Sequence, residues 1–207
     1  MFIPNLKQIS TVEYFPPDKA ARWGDRAWFI TPEIFTYTLQ QLRNRFGRMI
    51  INQPRNRRTQ RGMRTAQFHL DRAGDLNNPE NVLNAYKAFD RSDSLHKYAN
   101  AADITFLDVT LEHVHQYIKD NPDEFPFISF IETGITWFHF DCRNQEGITF
   151  WNLNTGLVDE VIPQKPVRWD EFLEWHLDKP TKGKELSQYT NEELLKELKK
   201  RLGRQNE

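Results

Sequence analysis

The chain has 207 residues, enough to bury one sizeable core, and its formal net charge of -1 gives no general attraction to nucleic acid or to an anionic membrane. Fifteen Phe, six Trp and six Tyr supply large apolar surfaces beside 28% charged residues, the profile of a soluble globular protein. A single cysteine, Cys142, excludes an internal disulfide framework and any Cys-rich zinc knuckle, and no stretch approaches the roughly 18 apolar residues of a membrane span.

Residues 1–30 hold Pro4, Pro16 and Pro17 among aromatics and read as an extended arm on the core. The segment starting at Met1 has no basic stretch followed by a long apolar run, so no secretion signal is expected. Thr31-Pro32-Glu33 then starts a helix, with Thr as N-cap, Pro at the first helical position and an acid in the first turn. Ile34, Leu39, Leu42 and Phe46 give that helix an apolar face, and Gly47 is placed to end it. Met49 to Ile51 reads as a short buried strand. Residues 53–93 are polar and loop-rich, with a helix around Glu80 to Phe89 on the spacing of Val82, Leu83, Tyr86 and Phe89.

A strand is expected from Asp103 to Phe106, and a helix capped by Thr110 from Leu111 to Asp120, stopped by Asn121-Pro122. Phe127 to Ile131 and Ile135 to Cys142 form a β-hairpin turning at Thr133-Gly134, and Gly147 to Leu153 is expected as a third antiparallel strand. The fold class is therefore α+β, a mostly antiparallel sheet with flanking helices. Lys179 to Lys184 reads as a linker. Beyond it Leu194, Leu195, Leu198 and Leu202 stripe a C-terminal amphipathic helix, suited to docking on a partner or to self-association. The expected organisation is an arm over 1–30, a domain over 31–178, and linker plus helix over 179–207.

The chemistry concentrates in Ser94-Leu-His96, Asn100-Ala101-Ala102-Asp103 and Trp137-Phe-His139-Phe-Asp141. Two imidazoles and a carboxylate, His96, His139 and Asp103, are a suitable catalytic zinc set that leaves a fourth position open. Strand alternation puts His139 and Asp141 on one face and Cys142 on the other. Cys142 is thus a core residue. Asp141 either supports a ligand or is a spare carboxylate at the metal.

This pattern resembles the zinc peptidases that cut peptidoglycan stem peptides, the D-Ala-D-Ala carboxypeptidases and phage cell-wall endopeptidases that share their fold with the hedgehog signalling domain. Their signature, Ser-x-His-x-x-Gly-x-Ala-x-Asp, is met at Ser94, His96, Ala101 and Asp103, with Ala99 in place of the Gly. Their last ligand lies in a Trp-x-His-x-Asp strand, which Trp137, His139 and Asp141 fit. Their Ser-Gly-x-Arg turn, whose Arg helps hold the substrate, survives as Arg61-Gly62-Met63-Arg64 without its Ser.

The resemblance covers about residues 31–143. It implies a hedgehog/DD-peptidase-like fold, a zinc cofactor on His96, Asp103 and His139, Arg64 toward substrate, and a peptidoglycan peptide as partner. The setting it implies is a phage or phage-derived one, virion-associated or released by a lysis system, with virion proteins as further partners.

Hydrolysis needs a group to take the proton of the attacking water. Many relatives carry it three residues before the last ligand, where this chain has Thr136. Glu132 is then the first candidate and Asp141 the second. With a turn at Thr133-Gly134, however, Glu132 would lie on the order of 13 Å along the strands from His139, and only a bulge or bent loop would bring it closer. The departure also leaves open a non-catalytic virion or wall-binding protein that retains the zinc site. His113 and His115 are expected at the surface, His69 in a loop where it either lines the cleft or, as the simpler reading, is solvated, and His176 is assigned no role. The arginines from Arg43 to Arg64 admit an anionic partner, but a solvated charge run is the simpler reading, and nucleic acid is not expected.

Overall fold

The structure is a computed structural model that describes residues 9–52, 60–143, 146–165 and 167–168. The chain divides into two units, Met1–Pro166 and Val167–Glu207. The linker and C-terminal helix expected over 179–207, His176, and Arg55, Arg57 and Arg58 lie outside the described residues.

The first unit is α+β. Its elements in chain order are α1 Thr11–Tyr14, α2 Pro17–Trp23, a 3₁₀ segment Gly24–Ile30, α3 Glu33–Phe46, β1 Met49–Ile50, α4 Gln67–Leu70, α5 Pro79–Arg91, a 3₁₀ segment Leu95–Tyr98, β2 Ala101–Phe106, α6 Leu111–Asp120, a 3₁₀ turn Pro122–Glu124, β3 Phe130–Thr133, β4 Phe138–Asp141, β5 Ile148–Asn152 and β6 Leu157–Ile162. The strands form one six-stranded sheet in the order β1-β2-β4-β3-β5-β6. Neighbours are antiparallel except β3 and β5, which run parallel. The expected third antiparallel strand is thus β5, lying parallel to β3 on the side away from β4. The hairpin carries β4 to one side of β3, and the chain then crosses to the other. No helix among the described residues is long and apolar enough to cross a membrane.

The pleat sorts the sheet into a packed face and a working face. Ala102 and Ile104 of β2 lie opposite Phe140 and Phe138 of β4, and Ile131 of β3 lies opposite Phe140. All five are fully buried. Against this face α3 sets Phe35, stacked on Phe140 at 5.3 Å, and Phe46, edge-on to Phe106 at 5.4 Å. Thr110 caps α6 as expected, its hydroxyl accepting the His113 amide at 3.2 Å. Helix α3 starts one residue later than the sequence suggests: Pro32 is the cap residue, and the Thr31 hydroxyl is buried without a partner among the described residues.

Residues 9–30 are helical rather than an extended arm. Pro17 occupies the first turn of α2, where its missing N–H and fixed φ cost nothing, so the Pro16-Pro17 pair starts a helix. Tyr14 and Phe15 are fully buried. The Tyr14 ring lies 5.4 Å from Phe35, and its hydroxyl donates to the Ala101 carbonyl at 3.3 Å.

His115 also departs from the surface position expected for it. Its ring lies 5.8 Å from Phe138 and 6.1 Å from Phe150, with Nε2 buried and unpartnered among the described residues. Burial, with help from the Lys119 charge, pushes its pKa down from 6.5 to about 4. The unfolded chain therefore binds the proton more readily. Stability should be fully present above about pH 6.5 and fall as the pH drops toward about 4, by on the order of 1–2 kcal/mol after discounting for partial exposure. Urea unfolding of chelator-treated protein at pH 7 and pH 5 should show the loss, and His115→Leu should flatten it.

Candidate metal centre

The working face carries the ligand set. Asp103 on β2 and His139 on β4 are direct cross-strand partners, which brings their Cβ atoms to about 4.5–5.5 Å. His96 arrives from the 3₁₀ segment before β2. To enter that strand the chain turns at Ala99, whose φ of 54° makes it the one positive-φ non-glycine among the described residues. This is the position where the resembled signature has Gly, and the left-handed conformation is the reason a Gly suits it.

His96, Asp103 and His139 form a buried group that could hold a metal ion. His139 Nδ1 lies 2.8 Å from Asp103 Oδ1, His96 Nε2 lies 3.3 Å from the same oxygen, and the two ring nitrogens are 3.3 Å apart. A tetrahedral ion with bonds of about 2.0–2.1 Å needs ligand atoms about 3.3–3.4 Å apart. Two edges already match that spacing, and the third is a hydrogen bond that has to open by about half an ångström.

The His96 ring is fixed from behind. His96 Nδ1–H donates to the Gly62 carbonyl at 2.7 Å, so Nε2 presents its lone pair to the group. Burial lowers the His96 pKa, which keeps the ring in the neutral form a metal requires. Burial alone would raise the Asp103 carboxyl, but the hydrogen bond from His139 and the ion pair with Arg64 favour its charged form and hold it well below the usual carboxylate range.

Residues 60–64 stitch the ligand segments together. The Asp103 amide donates to the Arg61 carbonyl at 2.7 Å, and the Arg64 amide to the His96 carbonyl at 2.9 Å. Arg64 Nη2 donates to Asp103 Oδ2 at 3.0 Å and Nε to the Gln60 carbonyl at 3.1 Å. Arg64 thus acts first on a ligand carboxylate and keeps Nη1 unpartnered among the described residues.

Gly62 has no room for a side chain, since a Cβ there would meet the Tyr14 carbonyl oxygen at 2.1 Å. Gly62→Ala should therefore destabilise the fold by about 2–3 kcal/mol and weaken metal uptake by shifting the carbonyl that orients His96. Urea midpoints and metal content measured on the same samples check both effects.

Glu132 is nearer the group than the sequence implies. The hairpin connection is Gly134–Trp137 rather than a turn at Thr133-Gly134, so Glu132 pairs directly with His139 with no bulge. Its carboxylate makes no hydrogen bond or ion pair among the described residues, and it faces the same chamber of about 370 Å³ as His96, His139 and Ser94. Burial pushes its pKa up, with Asp103 and Asp141 adding to the rise and His139 and Arg64 opposing it. Asp141 is committed elsewhere. It is 1% exposed, and both its oxygens accept from Arg143, whose Nε lies 2.9 and 3.1 Å away. It stands outside the ligand group.

Thr136 is exposed in the hairpin loop. Cys142 is buried on the packed side beside Thr38, and burial raises its thiol pKa. His69 is half-buried between Phe68 and Phe89 and lines neither of the chambers at the metal group. His113 is exposed on α6.

Among the described residues, four arginines of the run pair with acids distant in sequence: Arg43 with Glu13, Arg45 with Glu124, Arg48 with Asp108 and Arg64 with Asp103. The Gly62 carbonyl and the Asp141–Arg143 pair are parts of the site that sequence reasoning passed over. An Asp and an Arg two apart on a strand share a face, which was the available signal for the pair. Comparison with protein-family models, curated proteins and solved structures gave no match to this chain.

Proposed function

We propose that this chain is a zinc-dependent peptidase of the D-Ala-D-Ala carboxypeptidase-like, hedgehog/DD-peptidase fold, acting on peptidoglycan stem peptides in a phage or phage-derived setting. The observation that carries this reading is the juxtaposition of a ligand triangle near tetrahedral spacing with an unpartnered Glu132 directly across the strand, both facing one cleft. A structural zinc site would close its fourth position with a protein ligand, whereas this group has three and opens to a chamber.

His96, Asp103 and His139 would hold the ion, which when bound supplies Lewis-acid polarisation and eases ionisation of water at neutral pH. Glu132 takes the proton of the attacking water and delivers it to the leaving amine. Its raised pKa suits both halves of that transfer. Arg64 holds Asp103 through Nη2 and offers Nη1 to the substrate carbonyl. Arg143 engages the Asp141 carboxylate.

The test is release of new amines from a panel of peptidoglycans with different cross-bridges by zinc-loaded protein. No release from any of them, with zinc bound, would move the assignment to a non-catalytic virion or wall-binding protein.

A further inference from the structure

Strand register continues the metal group as a single row across the sheet. Asp103 lies opposite His139, His139 opposite Glu132, Glu132 opposite Trp151 and Trp151 opposite Val158. Alternation puts all of them on the working face. Strands about 4.8 Å apart place Trp151 one step beyond Glu132 and about 10 Å from His139. The next row along the strands runs Asp141, Phe130, Thr149, Val161. Phe130 links the two rows: its ring is edge-on to His139 at 6.4 Å and lies 6.2 Å from the Trp151 ring.

Beyond Glu132 this face turns apolar. Strand β5 carries no charged residue, and the register shift between Phe150 and Trp151 turns both acids of β6 to the other side. Glu160 pairs at 2.6 Å with Lys119, whose ammonium lies over Phe150 on the packed face. Asp159 accepts from the Thr133 hydroxyl and the Asn152 amide, a cross-strand pair out of phase with Glu132 and Trp151. What is left on the working face of β6 is Val158 and Val161, 54% and 53% exposed. Leu153, two positions beyond Trp151, is 43% exposed and lines the chamber that Glu132 faces. Single exposed apolar residues are ordinary, but a strip that begins beside the metal group and continues over two strands marks a binding surface. On the opposite side of Asp103 the cleft is lined by Arg61, Arg64 and Arg72. A ligand across the metal group therefore meets charge at one end and apolar surface at the other.

A peptide laid along the row with its reacting bond at Glu132 covers this strip with one residue. Extended chain advances about 3.3–3.6 Å per residue, so the residue flanking the bond brings its side chain over Trp151. A methyl group leaves most of the strip in water, whereas a leucine or phenylalanine side chain removes it from water. We propose that Trp151, with Leu153 and Val158, is the specificity determinant for a large apolar side chain on the residue that flanks the cleaved bond on the β5 side. The preferred substrate is then a peptide whose cleaved bond adjoins a leucine- or phenylalanine-sized residue, rather than one with alanine on both sides. This rests on the peptidase reading for the reaction, and it narrows the substrate on grounds outside the metal group.

The zinc-loaded full chain is titrated by calorimetry with end-blocked peptides whose central amide is replaced by an uncleavable methylene-amine. One peptide has alanine on both sides of that bond; the others carry leucine or phenylalanine on one side or the other, in L and D forms. The best leucine or phenylalanine peptide is expected to bind about tenfold tighter than the alanine peptide, and the preference should hold as salt rises. In Trp151→Ser combined with Val158→Ser the preference is lost, while zinc content and binding of the alanine peptide stay as in the wild type. Val158→Ser alone, at a side chain more than half exposed, should lose part of the preference, and it decides the matter if the double variant fails to fold. Equal affinity for all the peptides in the wild type, or a preference that survives these substitutions, overturns the determinant. The cleavable amide counterparts keep the two failures apart. An apolar preference in binding without cleavage of any amide removes the peptidase reading and leaves the determinant standing. Cleavage of alanine and leucine peptides with equal kcat/KM and equal affinity removes the determinant and leaves the peptidase reading; binding of no peptide removes the determinant.

Discussion

Zinc added to chelator-treated protein is expected to bind one ion per chain and to raise the unfolding temperature by on the order of 10 °C, and neither effect should survive in His96→Ala or His139→Ala. The size follows from linkage. An ion present at about 1,000 times its dissociation constant stabilises by about 4 kcal/mol, and each kcal/mol moves the midpoint of a chain of this length by about 2–4 °C. Most of the cost of assembling the site is met by the fold, since Gly62 orients His96, Arg64 holds Asp103, and the β2–β4 register sets His139 opposite Asp103. Removing either imidazole leaves two ligands, and removing His139 also strips a hydrogen bond from a carboxylate that is 6% exposed. Loss of stability even without metal is therefore expected, larger for His139, whose contact with Asp103 is the shorter. Cys142→Ser should keep the metal, because the thiol lies on the opposite side of the strand. Wild-type protein that takes up no zinc, or an unchanged stoichiometry in both histidine variants, would sink the metal centre.

The ligand set was legible because its elements are regular. Two imidazoles and a carboxylate at His96, Asp103 and His139 are a recognisable donor set, and period-two alternation places His139 and Asp141 on one face. Helices α3, α5 and α6 were legible for the same kind of reason, each carrying a repeat of apolar residues and a recognisable stop. What failed was whatever depended on connection geometry. Nothing local to residues 130–140 says whether the chain turns over two residues or over Gly134–Trp137, yet that choice decides whether Glu132 is a distant hairpin residue or the cross-strand neighbour of His139. The parallel pairing of β5 with β3 was hidden likewise, because a crossover leaves no mark on the strand's own pattern. Pro16 and Pro17 misled through an ambiguity of proline, which serves extended chain and a helix's first turn equally well. The arginine run looked uncompensated because its acids, Glu13, Glu124, Asp108 and Asp103, come from other parts of the chain.

Glu132→Gln is expected to retain the fold and one zinc per chain while lowering turnover by about 10²–10⁴, the usual cost of a missing general base. The substitution is nearly isosteric, and the native carboxylate makes no hydrogen bond among the described residues, so no partner is left stranded. Stability should change little or rise slightly, since burial already disfavours the charged form. Asp141→Asn should give the opposite profile. Its carboxylate is buried and held by Arg143, whose side chain is 41% exposed, so the change weakens a half-exposed charge pair and costs stability on the order of 1–2 kcal/mol. Turnover per zinc-loaded molecule should fall far less than in Glu132→Gln. The two variants therefore separate a proton carrier from a structural ion pair by crossing over, one losing rate and the other stability. The pH profile supplies a further readout: an acidic limb of kcat/KM that reports the Glu132 ionisation should vanish from the residual activity of Glu132→Gln. Were Asp141→Asn to abolish turnover with zinc and stability intact, while Glu132→Gln worked normally, the base would be Asp141, and its pair with Arg143 would have to open during the reaction.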